Sequence, residues 1–170
     1  MEPPLTNLVV SQEAIIGIDA RLRDLLRESS AATAVLLDRS GQVICISGDV
    51  HGRDVVSLGA LLAGNFASAR EIARLLGEPS FSLCFQQGER EHVLTAAVGP
   101  RCLLSILFRI HSQLGLVKVL AHKSAADLAV IIEASSRQAL ANDRQLDSFR
   151  LAADQNIDRW FCEQDDKRLG

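Results

Sequence analysis

The segment LGALLAGNFASAREIARLLGE, residues 58–78, decides how this chain is read. Leu58, Leu61 or Leu62, Ala69, Ile72 and Leu76 recur at the spacing of one helical face, and Asp54 ahead of them suits an N-cap. Gly77 followed by Pro79 supplies the stop. Yet Gly59, Gly64 and Asn65 sit inside the pattern, and a mid-helix glycine costs about 1 kcal/mol relative to alanine. Ala60, Ala63, Gly64, Ala67 and Ser68 also recur at three- and four-residue steps, forming a ridge of small side chains. Such a ridge admits another backbone at close range, and the packing gained there offsets the lost propensity. Two readings stay open. Either the glycines rest against the domain's own sheet, or they form a seam for self-association or for another protein.

Working outward, residues 11–29 place Ile15, Ile18, Leu22, Leu25 and Leu26 on one stripe of an amphipathic helix capped by Ser11. TAVLLD and QVICIS then read as two strands joined by the tight turn RSG. A polar loop, GDVHGRD, leads into the segment quoted above. Beyond it, FSLCFQ alternates with Phe81, Leu83 and Phe85 on one face, and HVLTAAV follows the turn QGERE. CLLSILF is nearly all apolar, as a central strand covered on both faces is. A long helix starts near Gln113, and its pattern decays after about Ala141 into a polar stretch. The late segment DQNIDRWFCE brings Ile157, Trp160 and Phe161 together at i, i+3, i+4. Two hairpin groups separated by a helix predict an α+β domain, one five-stranded antiparallel sheet between helices, in the order α-β-β-α-β-β-β-α. The expected division is an N-terminal extension over 1–10, the domain over 11–142, and a linker with an amphipathic tail over 143–170.

Composition removes several function classes. At 170 residues, a single domain buries roughly 70% of its unfolded surface and needs no disulfide or metal staple. A net charge of −3 gives no general attraction to nucleic acid or to anionic membrane. The longest apolar runs fall far short of a membrane span, and the N-terminus lacks a signal-peptide pattern, so a soluble cytoplasmic protein is expected. Cys45, Cys84, Cys102 and Cys162 form no CxxC, and no cofactor or metal is expected. There is no GxxxxGK[ST], GxGxxG or HExxH, so the chain is not itself a P-loop GTPase, and it is expected not to be an enzyme. His51, His92, His111 and His122 are scattered one per element and read as surface or loop residues. The GDVHGRD loop gathers Asp49, His51, Arg53 and Asp54, which read as a solvated loop before a helix cap rather than a metal or enzymatic site.

Over residues 13–135 the chain resembles the roadblock (dynein light chain–related) domain, and most closely its bacterial MglB-like subgroup. The resemblance rests on LLDRSGQVI, LLAGNFASAREIARLLGE, FQQGERE, VGPRCLLSILF and SQLGLVKV, in that order. It implies an α/β/α sandwich-like roadblock fold and a homodimer in which second helices lie side by side and third strands pair edge to edge. Leu62, Asn65, Phe81, Leu83 and Phe85 are the implied dimer contacts. The subgroup's partner is a Ras-like small GTPase, MglA, docked on the paired second helices. Ala60, Ala63, Gly64, Phe66, Ala67, Arg70, Glu71 and Arg74 are the implied GTPase-binding residues. Arg70 and Glu71 depart from the small or neutral residues of close relatives and are expected to bear on partner choice. The implied function is acceleration of GTP hydrolysis without catalytic residues, by positioning switch loops, in polarity or motility and at a cell pole through partners. Promotion of nucleotide exchange stays open, as does a passive scaffold that leaves turnover unchanged. An arginine finger from Arg53 or Arg70 is not demanded by any motif. The tail residues Ile157, Trp160 and Phe161 fold back onto the domain or reach a partner.

Overall fold

The computed structural model describes residues 10–166, with side chains described through residue 142. Eight elements follow one another: α1 (Gln12–Ser29), β1 (Thr33–Asp38), β2 (Val43–Gly48), α2 (Val55–Leu76), β3 (Leu83–Gln87), β4 (Glu91–Val98), β5 (Cys102–Arg109) and α3 (Leu114–Asp166). The strands form one antiparallel sheet in the order β2-β1-β5-β4-β3. β5 is central and buried along seven of its eight residues, as its apolar run requires.

Local signals start and stop the helices where expected. The Ser11 hydroxyl accepts from the Ala14 amide, and the Asp54 carboxylate accepts from the Ser57 amide at 3.0 Å. α2 ends at Gly77, whose left-handed backbone lets its amide close on the Ala73 and Arg74 carbonyls.

Alternation along the strands divides the sheet into two unlike faces. Toward α1 and α3 it turns Ala34, Leu36, Leu94, Ala96, Leu104, Ile106 and Phe108, which pack with Ile18, Leu22, Leu25, Val117 and Leu128. α1 and α3 run side by side there, tied by the Arg21–Asp127 ion pair at 2.9 Å and by Ser135, whose hydroxyl accepts from the Ser11 amide. The opposite face carries only α2. Val35, Leu37 and Leu103 meet Leu62, Ala63 and Phe66, while Val43, Ile46, Cys84, Val93 and Ala97 are only partly covered.

Three expectations are corrected. His92 is not a surface residue, because strand register turns it inward, edge-on to both Phe85 and Phe108. Phe81 precedes β3 rather than belonging to it. The helix expected to decay near Ala141 continues to Asp166, since residues 139–166 contain no glycine or proline to end it. The tail residues Ile157, Trp160 and Phe161 fall outside the side chains described.

Candidate functional site

α2 is the element whose sequence does not match its own packing needs, and the two glycines at issue turn out to differ. A Cβ on Gly59 would lie 2.6 Å from the Gly41 carbonyl oxygen and 3.2 Å from Val43, so the β1–β2 hairpin presses directly on the helix there. Gly41 itself has φ +94° and sits against the Ala60 backbone. Gly59 is therefore required by the chain's own fold. A Cβ on Gly64 would meet nothing within 4 Å. Its missing side chain leaves open space on the outward side of the helix.

Helical spacing sorts the remaining α2 residues into three strips. Leu62, Ala63 and Phe66 face the sheet and are buried. Ala63 and Phe66, expected among the GTPase-binding residues, and Leu62, expected at the dimer contact, each fill the thin core under α2 within one chain, and Arg39 closes over the Phe66 ring. Ala60, Gly64, Ala67, Arg70, Glu71 and Arg74 are exposed, as is Asn65. Ser68 donates back to the Gly64 carbonyl, which turns its hydroxyl onto its own helix. Glu71 and Arg74 pair with each other at 2.9 Å on the surface.

The flank of α2 away from the β1–β2 hairpin carries large apolar groups with no cover. Leu61 is 71% exposed and Leu75 76%, with Ile72 and Leu76 also exposed. Sequence periodicity places Leu61 or Leu62, Ile72 and Leu76 on one apolar stripe of the helix. The hairpin contact at Gly59 turns Leu61, Ile72 and Leu76 outward, a relation between distant segments that no local pattern contains.

The sheet explains why this flank matters. Five strands at about 4.8 Å spacing are roughly twice as wide as one helix of about 10 Å. Two helices cover the opposite face, but α2 alone covers this one. The uncovered part lies over β4 and β3, where Cys84, Val93 and Ala97 remain half-buried. β3 pairs with β4 alone, so its outer row of amides and carbonyls is an open sheet edge. Leu83 and Phe85 point to the α1/α3 side and pack, half-buried, on the rim of that core beside the open β3 edge.

Catalytic chemistry has little to work with among the described residues. No group of three His, Cys, Asp or Glu side chains is placed to hold a metal ion. Arg53 is locked to Glu91 by two hydrogen bonds of 3.0 and 2.7 Å, which holds the Glu91 carboxyl below its ordinary range. Asp49 accepts from the His51 amide and ring, and Asp54 caps α2. Burial raises the thiols of Cys45 and Cys84, and pushes Cys102 up to about 11, away from reactive thiolate character. No described helix is long and apolar enough to cross a membrane.

A five-stranded antiparallel sheet with two helices on one face and a single helix on the other defines the class. The Roadblock/LC7 domain model matches residues 18–108, and the chain belongs to that family. No curated protein sequence matches it. Among solved structures, Myxococcus xanthus MglB is 32% identical with a TM-score of 0.67, over 69% of this chain and 96% of its own. The gliding protein MglB of Thermus thermophilus is also 32% identical, with a TM-score of 0.70 over 75% and 96%. An MglB with a tetrameric arrangement is 31% identical, with a TM-score of 0.73 over 76% and 97%. These similarities set the chain in the MglB-like subgroup.

Proposed function

We propose that this protein is a homodimeric, non-catalytic regulator of a Ras-like small GTPase of the MglA type, accelerating GTP hydrolysis in bacterial polarity or motility. The observation that supports this reading best is the half-covered α2 face of the sheet. A second α2 laid against Leu61, Asn65, Ile72 and Leu76 would complete the helical layer, and a second β3 would pair the open edge. The outward ridge of Ala60, Gly64 and Ala67 from both copies would then form a shallow platform, with Arg70, Glu71 and Arg74 at its rim. The ridge of Ala60, Gly64 and Ala67 itself supplies no acid, base or nucleophile. It would act by holding a partner's switch loops in a competent arrangement, a shift of population rather than a chemical step.

The test is GTP hydrolysis by a purified MglA-type GTPase with increasing amounts of the protein. A rising rate supports the reading, and binding without a rise makes the protein a passive scaffold. Absence of a complex in both nucleotide states removes the GTPase reading altogether. Ala67→Arg is expected to abolish docking while self-association persists; unchanged affinity in that variant would sink the platform assignment.

A further inference from the structure

The outward side of α3 shows a second pattern, independent of α2. Leu116, Val119, Lys123, Ala126, Val130, Glu133, Arg137 and Leu140 follow one another at alternating three- and four-residue steps. This is the spacing of a coiled-coil seam, and it lies opposite the stripe of Val117, Ala121, Ser124, Leu128 and Ile132 that packs on the sheet. Val119 and Val130 are each 66% exposed, with Leu116 and Leu140 also open. Single exposed apolar residues are ordinary on a protein surface, but four on one strict seam are not.

The seam is complementary to itself in reverse. Turned end for end about a twofold between Ala126 and Val130, it sets Leu116 opposite Leu140 and Lys123 opposite Glu133. Val119 then meets the aliphatic stem of Arg137, and Ala126 meets Val130. Small faces large at the centre, opposite charges face each other on either side, and leucines close both ends. Glu133 has only a loose 3.6 Å contact with Arg137 on its own helix, and Lys123 has no ion-pair partner among the described residues. Both are open to a partner across the seam. From Leu116 to Leu140 the seam runs about 36 Å at 1.5 Å per residue.

We infer that α3 binds a second copy of this chain through this seam, antiparallel and twofold symmetric, with Lys123 of each copy paired to Glu133 of the other. The contact is isologous, so it closes on two copies and does not polymerise by itself. It uses the face opposite α2 and therefore adds to any pairing through α2 and β3: four chains where both contacts form, two where only the seam does.

The test is the mass of the full chain in solution by light scattering across a concentration series, with Glu133→Lys and the doubly substituted Lys123→Glu, Glu133→Lys chain beside the wild type. Reversing Glu133 sets lysine against lysine twice, so the mass at a given concentration is expected to fall by half. Reversing both charges restores opposition and is expected to restore the mass. Val130→Asp should also halve it without touching the charge pair. A mass that stays constant in Glu133→Lys and Val130→Asp overturns the inference, and so does a double reversal that fails to recover association. The α2 pairing gives a different result, because Leu61→Asp would separate chains while leaving the double charge reversal active on the remaining contact.

Discussion

The two faces of the sheet are built on different terms. Toward α1 and α3 lies a deep layer of large side chains, including Ile18, Leu22, Leu25, Ile106, Phe108 and Leu128, none with measurable exposure. Toward α2 the sheet presents Val35, Leu37 and Leu103 around a hydroxyl pair, Thr95 to Ser105 at 2.9 Å, under one helix. The first face is complete within one chain. The second is a layer left half built, and its helix carries leucines on a flank that nothing covers. The buried core is concentrated on one side of the sheet, and the uncovered part of the sheet lies on the other.

Truncations on each face give the largest test of that contrast. Leu22→Ala removes a leucine enclosed by two helices and the sheet, and is expected to cost about 3 to 4 kcal/mol in denaturant unfolding at fixed protein concentration. Phe66→Ala lies under a single helix with an open rim, where neighbours and water close the gap, so about 2 kcal/mol is expected. If the phenylalanine proves the costlier site, the two faces are equal and the contrast fails.

The glycines of α2 sharpen the same comparison on one helix. Gly59→Ala drives a methyl group into the Gly41 carbonyl and is expected to destabilise by about 1 to 3 kcal/mol. Gly64→Ala meets open space and is expected to raise the thermal midpoint, by up to about 1 kcal/mol of helix propensity, while weakening partner docking. A stabilised variant with undiminished docking would leave Gly64 without a role in binding.

The smallest effect concerns the Arg53–Glu91 pair, which fastens the loop before α2 to β4. The Glu91 carboxyl is lowered in the folded protein by its hydrogen bonds to Arg53. The folded value therefore lies below the unfolded one of about 4.3, and the pair stabilises above that pH and ceases to as pH falls through the folded value. Because both side chains are partly exposed, the contribution is modest. Thermal midpoints of wild type and Glu91→Gln should differ slightly at pH 7 and converge in acid; a gap that widens in acid contradicts the assignment.

How far the sequence can be read varies from residue to residue. Ser11, Asp54 and Gly77 announce their helix ends because a cap is decided by hydrogen bonds within four residues. The strands are legible from two-residue alternation, and CLLSILF declares itself central because both its faces are apolar. The site is less legible. Ala63 and Phe66 belong to the same helical repeat as Ala67 and Arg70, and periodicity alone does not say which edge of an apolar stripe turns inward. His92 reads as a surface residue because a lone histidine in an alternating strand carries no mark of the phenylalanines opposite it. Nor does a polar, glycine-free stretch after Ala141 show whether it continues a helix or leaves it.

By itself, the sequence determined the order of elements, the caps and turns that bound them, and the absence of any nucleotide-phosphate or metal motif, all set by interactions between near neighbours. The tertiary structure alone decided the rotation of α2. The β1–β2 hairpin meets the helix at Gly59, so Leu62, Ala63 and Phe66 turn to the sheet while Leu61, Gly64 and Ile72 turn away. That choice depends on where a turn earlier in the chain comes to rest, and it makes one glycine part of the fold and leaves the other on the surface.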